Sequence, residues 1–245
     1  MIVSGLPPKS RTSRSLTKEQ VNYWLRKYDK EEDLYNTDLE QELGDKLRRT
    51  KELTKDELSQ IVGWKFQGRL QSRRNLILKR ILVVEDAFIR KVSNESFNEQ
   101  DDRIRIKKLV GRHGGIAGVG LALASVILTF YDPRNFGVYD IHVWREMFGK
   151  EPGDLFSNLE NLVKFLERLR EEARTMELNT RVVEKAYLEE SGREQIFGGM
   201  LISVRYSFFL LLAFSTINRS PSILICNESP VANGNVVSLT RSAGT

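Results

Sequence analysis

The chain is predicted to be all-α, a helical body carried between disordered N- and C-terminal tails. Three observations lead there. Capping-box pairs recur where helices would start: Thr17 with Gln20, Thr37 with Glu40 and Thr54 with Glu57, each able to satisfy orphan amides of a first helical turn. Apolar residues fall at helical spacing in most of the segments that follow. Few segments alternate with period two, the mark of a half-buried strand.

Residues 1–15 are rich in Ser, Pro and basic side chains, and are expected to be a disordered basic tail. The helical body is expected over 16–197. Its first three helices follow the capping pairs: "TKEQVNYWLRKY", "TDLEQELGDKLRR" and "TKDELSQIVGW". Leu76, Ile77, Ile81, Val84 and Phe88 then predict one longer helix over 75–93. "EQDDRIRIKKLV" reads as a shorter amphipathic helix, and an apolar, alanine-rich helix follows the glycines at 118 and 120. "DLFSNLENLVKFLERLREEART" repeats Leu and Phe at helical spacing, and "TRVVEKAYLEE" closes the body. The run "GGMLISVRYSFFLLLAF" at 198–214 has 17 residues and carries Arg205. A membrane span takes about 20 apolar residues with few or no charges, so a buried element is favoured over a membrane or oligomer contact. Residues 215–245 are polar and poorly patterned, and are expected to be a poorly ordered tail.

Composition excludes several classes. The 245 residues carry a net charge of +5 and a pI near 9.3, which permits a polyanionic partner without requiring one. The single cysteine, Cys226, rules out a disulfide framework and a four-cysteine zinc or iron–sulfur site built by one chain. The opening "MIVSGLPPKSRTSRS" has no apolar core long enough for a signal peptide. The expected location is therefore intracellular, in cytoplasm, nucleoid or nucleus. His113 and His142 are too far apart in sequence, with no acid pair at ligand spacing, to suggest a metal site. No phosphate-binding loop of the P-loop kind and no nucleophile elbow occurs.

The most informative stretch is "GVGLALASVILTFYDPRNFGVYDIHVW", from Gly118 to Trp144. Gly118 and Gly120 bracket Val119 before an apolar helix. Glycine there lets a ligand approach the backbone closely, and the unpaired N–H groups of the next helix form an anion site. A tight helix–helix connection with no ligand explains the same glycines. Asp140 stands at the start of a further helix, as a helix cap, a surface acid, or a carboxylate placed for chemistry.

The order Ile116, Gly118, Val119, Gly120, Ala124, Pro133, Gly137, Asp140, His142 resembles the helix-hairpin-helix signature of the endonuclease III and adenine-glycosylase superfamily of DNA repair proteins. The ordered match spans about 30 residues, 116–145, with a weaker likeness over 17–190. The resemblance implies a glycosylase-like helical bundle with its helix-hairpin-helix at 106–131. It also implies a protein that grips duplex DNA through the hairpin and uses Asp140 to cleave the N-glycosidic bond of a flipped, damaged or mismatched base. A carboxylate suits that step, because positive charge develops on the sugar as the base departs. Bifunctional members carry a lysine two residues after the second hairpin glycine, which forms a Schiff base with the sugar. Here Ala122 stands there, so the resemblance implies a monofunctional, cluster-free glycosylase without strong lyase activity, or a relative that has lost catalysis. It implies no cofactor beyond a monovalent cation held by hairpin carbonyls. The helix "ELSQIVGWK" resembles the one carrying a DNA-probing Gln, which would be Gln60.

Supporting residues follow. Between Lys65 and Arg112 stand 13 Lys or Arg against 6 Asp or Glu. Lys65, Arg69, Arg73, Arg74 and His113 are candidates for phosphate contacts, or belong to a solvated face. Trp64, Tyr131, Tyr139 and His142 are candidates to line the base pocket, against the alternative that the rings are core and His142 orients the Asp140 loop. Trp24 and Trp144 are assigned to packing. Two other functions stay open: a non-catalytic helix-hairpin-helix module that holds DNA, and a helical interaction protein. The exposure of Asp140 separates an enzyme from a binding module. A basic face beside Gly118–Gly120 separates a binding module from an interaction protein. The base recognised and the oligomeric state are not legible.

Overall fold

The computed structural model describes residues 13–31, 34–66, 71–149, 154 and 157–195. Residues 1–12 and 196–245, with the apolar 198–214 run, lie outside the described residues, as does Arg69. Among the described residues there are ten helices and no strand, so the all-α expectation holds. They are α1 (Lys18–Glu31), α2 (Leu34–Thr50), α3 (Lys55–Lys65), α4 (Gln71–Leu82), α5 (Asp86–Phe97), α6 (Asp102–Leu109), α7 (Leu121–Tyr131), α8 (Ile141–Phe148), α9 (Leu159–Met176) and α10 (Thr180–Gln195). No described helix is long and apolar enough to cross a membrane.

Local signals set several helix starts. Thr54 and Glu57 close a full capping box on α3, with Glu57 held further by Lys46 at 2.6 Å. Thr17 and Gln20 do the same ahead of α1, at 2.9 and 3.3 Å. The Thr37 start is displaced: α2 already begins at Leu34. The single helix expected over 75–93 is two helices, α4 and α5, with a turn at 83–85. The break has a tertiary cause. Asp86 accepts the Lys55 N–H at the head of α3 at 2.6 Å and the Arg90 Nε at 2.6 Å, while Lys55 Nζ reaches Leu82 O. Helical spacing persists on both sides of the turn, but this anchor redirects the chain and leaves Leu82 and Val83 exposed.

The ordered chain also starts earlier than expected. Ser13 to Ser15 fall in the tail by composition, yet Ser13 Oγ donates to Met147 O at 2.7 Å, Arg14 pairs with Glu190 at 3.1 Å, and Arg168 reaches Ser15 Oγ. Small polar side chains that favour disorder in isolation here find partners on α8, α9 and α10.

α7 is the core. Leu121 and every residue from Leu123 to Phe130 are buried, covered by α2, α3 and α6. α10 packs against α1, α8 and α9. The loop between α7 and α8 joins the two groups of helices. Its Pro133 and Arg134 carbonyls accept the first amides of α10, Arg181 N–H at 3.0 Å and Thr180 N–H at 3.3 Å, meeting donors that a helix start leaves unpaired. Further along, Tyr139 N–H donates to Ser125 Oγ at 2.9 Å, and Ser125 Oγ donates to Ala122 O at 2.7 Å. The loop therefore runs back along α7 and delivers Asp140 beside its opening turns.

Candidate active site

Two clefts hold six of the predicted residues: Gly118, Val119 and Gly120 in one, Trp64, Lys65 and Asp140 in the other. The first surrounds the α6–α7 hairpin. Gly111 N–H donates to Val119 O at 2.9 Å, Ile116 N–H to Leu109 O at 3.1 Å, and Val119 N–H to Ile116 O at 3.0 Å. A lone parallel bridge joins Val110 and Ile116. Gly118 has φ +92, and a Cβ there would lie 3.2 Å from both Arg80 Cβ and Ile77 O, so this position requires glycine on both counts. Gly120 differs. Its φ of −102 is extended backbone, and a Cβ there meets nothing within 4 Å. It caps α7 without a side-chain bond, and the first intrahelical bond runs from Ala124 N–H to Gly120 O at 2.8 Å. The amides of Leu121, Ala122 and Leu123 thus precede that bond and have no helical partner. Leu121, the first of them, lines a cleft of about 410 Å³ together with Gly118, Gly120, Arg80 and Arg112. Among the described residues no acid pairs with Arg80 or Arg112.

Val119, expected at the DNA contact, lines the same cleft, but its side chain is buried and both its backbone groups close the hairpin, so it shapes the turn. The carbonyls of Val110, Ile116 and Val119 each accept a backbone N–H, Val110 two of them. Among the described residues no three His, Cys, Asp or Glu gather as a metal site.

The second cleft is a cavity of about 200 Å³ lined by Tyr28, Trp64, Lys65, Asp140, Arg181 and Glu184, among others. Asp140 caps α8, accepting His142 N–H at Oδ1 from 2.9 Å. Its Oδ2 takes Lys65 Nζ at 3.2 Å. Cap and cavity carboxylate are therefore the same residue. Burial pushes the Asp140 carboxyl up, but the Lys65 ammonium and the His142 N–H outweigh it and hold the group below the usual carboxylate range. Trp64 meets Phe130 edge-on, with centroids 5.2 Å apart, and the Arg181 guanidinium lies 5.4 Å from its ring centroid.

Arg181 and Glu184 carry the charge at the back of this cavity. Arg181 binds Glu40 bidentately at 2.9 and 3.0 Å and also contacts Glu184. Lys185 adds a second cation on Glu40 at 3.4 Å. Glu40 is consequently held low despite burial. Glu184 keeps only a share of Arg181, and burial lifts its carboxyl above the usual range.

Several other expectations change on this geometry. Lys65, expected at a phosphate, is instead paired with Asp140. Tyr131 stacks on Phe97 at 4.1 Å with rings nearly parallel. Tyr139 is buried against Trp144 and Phe165, and its burial pushes the phenol well above the usual tyrosine range. The Tyr139 ring is core, because the amide–Ser125 bond turns it inward just before Asp140, while the Tyr131 ring is partly buried and packs against the core. His142 contributes its backbone to the Asp140 cap. Gln60, Arg73 and His113 are exposed, and none of them lines either cleft; His113 accepts from Arg112 Nε at 3.2 Å. Arg74 lies along Gly63, with Nε buried and without a hydrogen-bond partner among the described residues. Arg80, Arg181 and Glu184 were not singled out from sequence. The available signal for the last two was a pair of charges three apart on the helical face that also carries Leu188.

No family model, curated protein or solved structure matches this chain.

Proposed function

We propose that this protein is a monofunctional DNA N-glycosylase that holds duplex DNA through the α6–α7 hairpin and excises a base with Asp140. The hairpin amides, with Arg80 and Arg112, take backbone phosphates. The target base leaves the stack and enters the Asp140 cavity beside Trp64. Asp140, kept ionised, stabilises the positive charge that develops on the sugar and orients water toward C1′. Lys65 and the His142 N–H fix its carboxylate while leaving lone pairs for that water.

The observation that carries this reading is the Tyr139–Ser125–Ala122 hydrogen-bond chain. It ties the residue before a cavity-lining carboxylate to Ser125, which lies about 6 Å along the helix axis from the α7 start that would hold the phosphate. A solvent-facing Asp140 far from any cleft would have removed the reading.

The test is incubation with duplexes each bearing one damaged or mismatched base. The expected product is an abasic strand that stays intact until alkali cuts it. Ala122 offers no amine, and Lys65 Nζ is engaged by Asp140. Borohydride is therefore expected to trap no covalent complex. An efficient adduct mapping to Lys65 would overturn the monofunctional part, and an adduct lost in Lys65→Ala would name the nucleophile.

Gly120→Val tests the grip separately. The variant should fold, given the open space and extended backbone at that position, yet bind duplex at least several-fold more weakly at moderate salt, because its side chain crowds the phosphate. Unchanged affinity in folded Gly120→Val would reject the hairpin as the contact.

A further inference from the structure

A cleft larger than either of those above takes no part in base excision. It encloses about 530 Å³ between the α7–α8 loop, the second half of α9 and the turn into α10, with Arg134, Arg170, Arg174, Glu167 and Glu171 along its walls. A narrower cleft of about 160 Å³ shares Glu167 and Arg170 with it and runs on to Asp101, just ahead of α6. The shared residues join the two into one groove along α9. The groove lies past the C-terminal end of α7. The hairpin stands at the other end of that helix, about 15 Å away along its axis.

Its charges are fixed in place yet unspent. On α9 like charges stand one turn apart, Glu167 with Glu171 and Arg170 with Arg174, an arrangement that weakens a helix slightly. The side chains of Arg134, Arg174, Glu167 and Glu171 form no ion pair among the described residues; the two acids feel Arg103 and Arg168 at longer range. Arg170 is held on three sides. Its Nε donates to Asn135 O at 2.6 Å, its Nη1 binds Asp102, and its guanidinium lies 5.0 Å from the Phe136 ring centroid. Its Nη2 makes no hydrogen bond among the described residues, and 28% of the side chain stays exposed. A guanidinium so held loses little freedom when a carboxylate arrives. Arg134 is anchored through its carbonyl, which accepts Thr180 Oγ1 at 2.7 Å. The groove is therefore polar along its length. Arg134 and Arg174 stand toward α10, over Ala173 and Leu178, while Glu167 and Asp101 stand toward α6. Two acids on α9 repel a polyanion such as a DNA backbone, and three arginines repel a basic tract.

We propose that this groove docks an extended segment of a partner protein that carries an acidic and a basic residue three positions apart. The acidic side chain seats on Arg174 and Arg134 with the free edge of Arg170, and the basic one on Glu167. Glu167 and Arg174 are seven residues apart on α9, about 10 Å along its axis. Three residues of extended chain span about the same distance. A contact of this size is weak and transient. It leaves the hairpin and the Asp140 cavity uncovered, so the partner and DNA are held together, and it does not depend on the glycosylase reading.

The test uses the full chain and short end-capped, fluorescently labelled peptides of valine and threonine, read by anisotropy at low salt. One pair carries an aspartate and a lysine three positions apart, in either order. Controls carry the aspartate alone, the lysine alone, two aspartates or two lysines. At least one paired-charge peptide should bind about fivefold or more tightly than every control. Arg174→Glu, at an exposed position, should lose that peptide by about fivefold or more and come to prefer the two-lysine control. Glu167→Lys should lose it likewise and come to prefer the two-aspartate control, and it carries the test if Arg174→Glu does not fold. Saturating duplex DNA should leave peptide binding unchanged. The proposal is overturned if no paired-charge peptide binds, if a single-charge or like-charge control binds as well, if neither variant exchanges its preference, or if duplex displaces the peptide.

Discussion

Asp140→Asn is expected to abolish base release while DNA binding is retained or improved. The amide keeps the shape of the side chain, and Asn caps a helix about as well as Asp, so the His142 N–H keeps its acceptor and α8 keeps its start. The charge is what disappears. Without it the cation forming on the sugar loses its placed counter-charge, and the loss should be about 10²-fold or more, the scale of a placed acid–base group. Removing one negative charge also lessens repulsion of phosphates. The wild-type pH profile gives a second check. Asp140 must be ionised to act, and Lys65 and the His142 N–H hold its carboxyl low, so activity should persist below the usual carboxylate range before it falls. The stability it contributes has the same sign: present above the unfolded pKa and lost as pH falls through the folded one. Single-turnover excision with both proteins decides the matter, and full activity in Asp140→Asn would end the mechanism.

Residues whose role is local were legible in the sequence, and residues whose role is tertiary were not. Thr17 and Thr54 announce helix starts because both halves of a capping box lie within four residues. The turn at 83–85 was invisible because its cause, Asp86 on the Lys55 amide, joins positions 31 apart. Asp140 was legible through an ordered motif that places it after the hairpin. Its partner Lys65 stands 75 residues away; the interleaving of basic and aromatic residues suggested a phosphate contact or a place in the cleft for that lysine, and did not pair it with Asp140. Tyr131 and Tyr139 border the motif in sequence, which made them pocket candidates, but period and spacing do not say which face of a loop turns inward. Arg181 and Glu184 lie on a helix that carries no motif, and only the fold brings them behind Asp140.

Arg181→Leu should be among the most destabilising single substitutions in the body of the protein. Arg181 is almost fully buried between Glu40 and Glu184 and is held far above the ordinary arginine range, burial opposing and the two carboxylates outweighing it. Leucine removes the shared cation and leaves Glu184 without a donor among the described residues, while Glu40 keeps Lys185. Breaking a buried pair from one side typically costs about 3–5 kcal/mol, because the surviving charge stays desolvated. Trp64 also loses the guanidinium on its face. The penalty should depend on pH. In Arg181→Leu the Glu184 carboxyl rises further above its unfolded value, so the variant keeps most stability below the unfolded carboxylate pKa. It loses that stability as pH rises through the folded one. Adding Glu184→Leu to the variant should recover a large part of the loss, since an apolar pair in place of a buried ion pair is often neutral or better. Urea unfolding of the three proteins at acid and neutral pH tests this. A single variant within about 1 kcal/mol of wild type at neutral pH, or a double variant no more stable than the single, would show that the Arg181 cluster does not hold the back of the cavity together.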